Sequence, residues 1–265
     1  MTELDEVHDL LDIAPLNARS VVLSVLLGLD PPALPVAALV ELGRLFGIAS
    51  GTVRTAISRM CGGSELVQDG GTYRLSGRML DRKAQQDSGR TVPTAEWDNT
   101  WWTTIVTDDA RTMTERRHFR STMTGARMGE VRPDIWMRPA NTDGPPPRPD
   151  RVTIRGALQS GDPEALAARL WDQASLEERA KRIHDALDQA AKRSRDADPA
   201  AVPLSITVSA ACVRFLRTEP QLPTQLAVMP ASAALRSRYN TFASAMVAHI
   251  PQLLEVAAPA LTTNP

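Results

Sequence analysis

The chain has 265 residues, 43% of them apolar and 23% charged, which excludes a wholly disordered protein and allows two or three domains at about 100–200 residues each. Lys and Arg total 30 against 31 Asp and Glu, so no overall basic excess points to nucleic acid and the distribution of charge has to carry any such case. Two cysteines, Cys61 and Cys212, are too few for a disulfide framework or a cysteine-based zinc site, and the longest apolar run, Val21 to Leu29, is far short of the roughly 20 residues that cross a bilayer. The acidic start (Glu3, Asp5, Glu6, Asp9, Asp12) lacks the basic and apolar pattern of a secretory signal, so the expectation is a cytoplasmic protein with no membrane association.

Taken in order, the first elements read as helix, helix, helix, hairpin. Ala18, Val21, Val22, Val25, Leu26 and Leu29 recur at helical spacing until Asp30-Pro31-Pro32 stops them. A second helix fits Pro35 to Phe46, with Pro35 in its first turn and Val36, Leu39, Leu42 and Phe46 as its apolar stripe, and Gly47 ends it. The third spans Ser50 to Met60: the Ser50 hydroxyl is placed to cap it, and Val53, Ala56, Ile57 and Met60 form its buried side. Leu66 to Gln68 and Thr72 to Leu75 then read as two strands around Asp69-Gly70-Gly71, a turn that needs positive φ. A hairpin behind a helix-turn-helix is a wing. Ser76 to Arg90 follows as an exposed helical connector, with a boundary near Thr91-Val92-Pro93.

The middle section opens on a strand at Trp101 to Val106, continues with a helix-compatible segment from Ala110 to Met123, and has further strands at Ile135 to Arg138 and Val152 to Ile154 around a Pro-rich loop. Beyond Asp162 the chain is Ala-rich and helical, with a polar helix from Glu177 to Arg195 and a last helix striped by Leu235, Tyr239, Phe242 and Met246.

The third helix carries the clearest chemistry. With its apolar side buried, Thr52, Arg54, Thr55, Ser58 and Arg59 remain on the other faces and no acid interrupts them. Arg gives bidentate hydrogen bonds to a guanine edge, and Ser and Thr reach bases or phosphates while letting a helix enter the major groove. From Arg44 to Arg90, eight basic residues stand against four acidic ones, and Arg74 on the wing, with Arg78, Arg82 and Lys83 after it, is placed for backbone contacts. Ser50, Thr52, Arg54, Thr55, Ser58, Arg59 and Arg74 are therefore the candidate DNA-binding set. The competing readings are a solvated helix face and a winged-helix protein-interaction adaptor. In the middle section Arg111, Arg116, Arg117, His118, Arg120, Arg127, Arg132 and Arg138 lie close in sequence to Trp97, Trp101, Trp102 and Trp136, a mixture suited to a nucleotide-containing ligand or a second stretch of DNA but also readable as solvated arginines and core tryptophans. Asp108-Asp109 after the first strand raises a metal-dependent nuclease as the enzyme alternative, against a simpler turn or helix-capping role. The four histidines have no metal-ligand spacing, and the chain lacks a nucleophile elbow or a phosphate-binding glycine loop, so neither enzyme activity, metal nor cofactor is expected.

The order of Gly47 to Met60 (GIASGTVRTAISRM), the Asp69-Gly70-Gly71 turn, Trp97-Asp98-Asn99-Thr100-Trp101, Met128 to Pro139 (MGEVRPDIWMRP) and Leu222-Pro223 resembles the PaaX-type repressors of phenylacetate catabolism across nearly the whole chain. The resemblance implies an α+β multidomain protein: a winged helix with connector (1–90), a ferredoxin-like, Cas2-like middle domain (91–160) and a helical C-terminal effector and dimerisation domain (161–265). It also implies a homodimer that represses promoters on double-stranded operator DNA and is released by a CoA thioester, phenylacetyl-CoA being the family's inducer. Arg54, Thr55, Ser58 and Arg59 fall on the family's recognition-helix pattern. The effector site is assigned by chemistry alone, to Arg111, Arg116, Arg117, Arg120, Trp136 and Arg138. Two departures stand out: an acidic Asp69 on the wing, and Arg127-Met128 where relatives carry a Gly-Phe-Gly-like run.

Overall fold

The computed structural model describes residues 3–91, 96–108, 111–195 and 201–257, a mixed α+β chain with ten helices and two small antiparallel sheets among the described residues. Its contacts divide it into two compact units. Unit 1 comprises the described residues of Met1–Ser88, Lys181–Val213 and Ala234–Pro265; unit 2 comprises those of Gly89–Ala180 and Arg214–Ala233. Both units take helical segments from the part of the chain after residue 161.

In unit 1, a short α1 (Glu3–Leu10) precedes α2 (Ala18–Gly28), which starts where Asn17 accepts from Ser20 N at 3.0 Å. α2 is apolar on nearly every side and runs through the centre of the core: Val21, Val22 and Leu26 are at most 1% exposed. A three-residue strand, β1 (Ala33–Pro35), comes next, then α3 (Val36–Leu45) and α4 (Ser50–Gly62). β2 (Leu66–Asp69) and β3 (Thr72–Leu75) form the hairpin, its turn made by Gly70 and Gly71 at φ +54 and +83, a region glycine enters without a Cβ clash. β1 pairs with β3, Leu34 opposite Tyr73, so the sheet order is β1-β3-β2. This strand corrects the expectation for Pro35. Pro35 is extended (ψ 150) on an edge strand, where its missing N–H costs no ladder bond, and α3 begins one residue later. α5 (Arg78–Arg90) follows the hairpin. The core joins α2, α3 and α4 to Leu66, Leu75, Met79 and Ile206, with Met246 packed against it.

Unit 2 is built on β4 (Thr100–Val106), β5 (Gly129–Arg132), β6 (Ile135–Pro139) and β7 (Arg151–Ala157) in the order β5-β6-β4-β7, with α6 (Met113–Gly125) between β4 and β5 and α7 (Pro163–Leu170) after β7. α6 starts at Thr112, whose hydroxyl accepts from Glu115 N while the Glu115 carboxylate accepts from Thr112 N, a reciprocal capping box. Alternation along the strands splits the aromatic residues. Trp136 joins Phe119, Met123 and Met128 in one cluster; Trp101 joins Trp97 and Ala167 in another.

Three long helices follow: α8 (Gln173–Arg195), α9 (Ala201–Thr218) and α10 (Pro230–Ala257). α9 is long and apolar enough to cross a membrane, but 67% of that window is buried inside the protein. Its Ser205, Thr207 and Ser209 break the apolar run, which is why Val21 to Leu29 looks longer in the sequence.

Candidate nucleic-acid interface

α4 places every residue of its expected reading face on the surface. Ser50, Thr52, Arg54, Thr55, Ser58 and Arg59 are all exposed, while Val53, Ile57 and Met60 are at most 2% exposed and Ala56 packs at the edge of the core. Neither Arg54 nor Arg59 has a hydrogen-bond or ion-pair partner among the described residues. Thr55 Oγ1 donates to Gly51 O at 2.8 Å, which leaves its lone pairs outward. One expectation fails: Ser50 is the first helical residue and not the cap. Gly47 turns the chain at φ +71, Ala49 is the extended residue before the helix, and no side chain caps it. The helix also runs two residues past Met60, ending at Gly62.

Behind the exposed face lies a groove of about 860 Å³, bordered by Asn17, Arg19, Thr52, Thr55, Arg59 and Arg78, with Glu65 at its floor. The Glu65 carboxylate is 4% exposed and is held from two sides. Arg19 donates to it through Nε at 3.0 Å and Nη2 at 2.7 Å, and Arg78 through Nη2. The Arg19 hydrogen bonds, opposed by burial and reinforced by Arg78, hold the Glu65 carboxyl below its ordinary range. The groove thus carries Arg19, Arg59 and Arg78 against one carboxylate, a net positive concavity. The sequence reading missed Arg19 and Glu65 as site residues; the only signal was an acid, Glu65, at an otherwise apolar strand start, with its partner 46 residues away. On the hairpin, Arg74 is paired with Asp69 at 3.1 Å, both groups more than half exposed.

The arginine and tryptophan set of unit 2 is distributed. Arg111 stacks on Phe119, its guanidinium carbon 4.7 Å from the ring centroid, and pairs with Asp134; Trp136 meets the same Phe119 ring edge to face at 6.4 Å. These three come together. Arg116 and Arg117 are exposed on α6, and Arg120, also exposed, pairs with Glu130 at 3.0 Å. Arg138 is buried, as is Trp136, each 4% exposed. Of the acidic pair, Asp109 lies outside the described residues; the capping role falls to Thr112. Among the described residues no group of three or more His, Cys, Asp and Glu side chains is placed to hold a metal ion.

The module of α2, α3, α4 and the three-stranded sheet coincides with a family match: the profile described as PaaX-like protein matches residues 17–79. A solved structure, the uncharacterized protein Rv0674 from Mycobacterium tuberculosis, is 34% identical and superposes with a TM-score of 0.70, covering 90% of this chain and 99% of its own. The chain belongs to the PaaX-like family. A search of curated proteins finds no match. Membership in the PaaX-like family suggests a transcriptional regulator, and the matched segment is the one that carries α4 and the groove.

Proposed function

We propose that this PaaX-like chain is a DNA-binding transcriptional repressor that reads a double-stranded operator with α4. The observation that carries the reading is the exposed face of α4, where Arg54 and Arg59 stand with no hydrogen-bond or ion-pair partner among the described residues, beside a groove edged by two further arginines. Side chains on a helix of this kind hydrogen-bond base edges in the major groove, and cations flanking it hold phosphates. The three helices and the hairpin form a winged helix on this reading, with Arg19, Arg78 and Arg74 as backbone contacts. Unit 2, with its β-α-β-β order and antiparallel β5-β6-β4-β7 sheet, is read as ferredoxin-like, residues 140–150 standing where that fold carries a second helix.

Two copies, related by a two-fold axis, place two α4 helices in successive major grooves about 10 base pairs apart or a multiple of that. For the second copy, unit 2 offers the outer strand β7, seven residues long with Val152 and Ile154 49% and 50% exposed. Release follows when a CoA thioester binds the non-operator state more tightly than the operator-bound state, since an effector with equal affinity for both shifts nothing.

The test is binding of the wild-type chain, Arg54→Ala and Arg59→Ala to DNA recovered with the protein, measured by gel shift. Each substitution is expected to weaken specific binding by about 1–3 kcal/mol, roughly 5- to 150-fold. Operator affinity unchanged in both variants sinks the assignment of α4.

A further inference from the structure

Unit 2 holds two guanidinium groups together with no carboxylate bonded to either among the described residues. Arg138, on β6 and 4% exposed, donates Nη1 to Ala126 O at 3.0 Å and Nε to Pro139 O at 3.4 Å, while its Nη2 is buried without a partner among the described residues. Arg127, in the turn after α6 and half-buried, donates Nη2 to Leu216 O at 3.3 Å, and its Nε is also buried and unmatched among the described residues. Burial and the Arg127 charge push the Arg138 guanidinium down to about 10, and only the exposed Asp143 acts in the other direction.

Two of these three bonds are to helix ends. Ala126 is the C-terminal cap of α6 and Leu216 lies in the last turn of α9. Each end contributes about half a negative charge, so together they offset roughly one of the two cations. A buried cation left without a counter-charge costs several kcal/mol.

Further unmatched polar atoms lie in the adjoining chain. Asn141 donates Nδ2 to Gln221 O at 2.7 Å, and among the described residues its Oδ1 is buried and without a donor. Thr142 Oγ1 is buried and unpartnered as well, while its carbonyl accepts from Trp102, the residue opposite Arg138 in the β4–β6 pair. The backbone is strained at the same place. Arg127 and Gln221 have φ of +59 and +56, a region that costs a non-glycine residue about 1 kcal/mol or more and that concentrates at ligand clamps.

We propose that Arg127 and Arg138, with Asn141 and Thr142 beside them, form a binding site for a small molecule bearing an oxyanion, phosphate ester or carboxylate, next to a hydroxyl or amide N–H donor. The oxyanion takes the free Arg138 Nη2 and Arg127 Nε donors, and the neighbouring donor satisfies Asn141 Oδ1. Access is from the half-exposed Arg127 side. The site stands apart from the DNA reading and needs no assumption about CoA.

The test is thermal unfolding of the full-length chain in potassium phosphate, glycolate, acetate or coenzyme A against potassium chloride at matched ionic strength, with Arg127→Gly as the variant. Glycine suits the positive φ at 127, so the variant folds, and in chloride it melts at or above the wild-type temperature. Wild type is expected to rise by about 2–4 °C in at least one of these anions once the anion is tenfold over its Kd. Arg127→Gly loses that rise. A response to phosphate and coenzyme A marks a phosphate source, and a response to glycolate above acetate marks a hydroxycarboxylate. Two results overturn the site: no anion-specific rise in wild type, or a rise that persists in Arg127→Gly. A coenzyme A response that survives in the variant, with none to phosphate or glycolate, removes this site and leaves the effector reading intact.

Discussion

Gly43 of α3 passes so close to Val53 of α4 that a Cβ on Gly43 would lie 2.4 Å from Val53 Cγ2. This contact sets how tightly α4 seats on α3. Gly43→Ala is expected to destabilise the chain by about 1–3 kcal/mol, because Val53 is 1% exposed and branched at Cβ and has nowhere to move. Val53→Ala removes the clashing methyl, so the double variant should recover much of the loss. Urea unfolding of the four species measures the coupling; purely additive effects would refute the contact.

Glu65→Gln removes the charge that Arg19 and Arg78 share. The loss of charge-assisted hydrogen bonds to a carboxylate 4% exposed predicts a destabilisation of about 1–3 kcal/mol at neutral pH. The folded carboxyl titrates below its ordinary value of 4.5, so its contribution is present above that value and disappears as pH falls through the lower folded one. The stability gap between wild type and Glu65→Gln should therefore close in acid. A gap that is constant down to pH 2–3 would contradict the bracket.

Asp69→Asn frees Arg74 from the only ion pair it makes among the described residues. An exposed pair is worth about 0–1 kcal/mol, so stability should barely change. DNA affinity should rise at low salt, and the slope of log affinity against log salt should steepen by up to about 0.9, one added phosphate contact. Identical salt slopes would place Arg74 off the DNA.

Thr112→Ala removes one half of the capping box at the start of α6. The expected cost is about 1 kcal/mol, read from chemical denaturation, with operator binding by α4 unchanged. A loss below about 0.3 kcal/mol would show that α6 is held by Phe119 and Met123 packing alone.

What the sequence made legible follows from how local each signal is. The faces of α4 were readable because Val53, Ile57 and Met60 recur within one helix, and the hairpin because Gly70-Gly71 admits the turn. β1 was not, since three residues ending in Pro35 become a strand only through pairing with β3 about 40 residues later. β5 was missed for a similar reason: Gly129 to Arg132 is short and its pairing with β6 shifts register between Glu130 and Arg132. The Ser50 cap went wrong because one residue of helix start depends on where Gly47 and Ala49 turn the chain. For the arginines of unit 2, composition gave their presence but not their fates. Arg111 and Arg120 found carboxylates, Arg116 and Arg117 face outward, and Arg127 and Arg138 ended beside each other, and only the folded chain separates these outcomes.

The uncapped start of α4 makes the reading helix incomplete by itself. Ala49 offers no side-chain acceptor, and while Thr52 N donates to Ala49 O at 2.9 Å, the Ser50 and Gly51 amides have no partner among the described residues. A phosphate at that end supplies the missing acceptor and adds the favourable field of an anion at a helix N-terminus. On the proposed DNA reading, engagement of a duplex completes the hydrogen bonding of this turn, and amide hydrogen exchange at Ser50 and Gly51 should slow most in the complex. On that reading the DNA supplies the acceptors that the chain itself leaves out at this helix end.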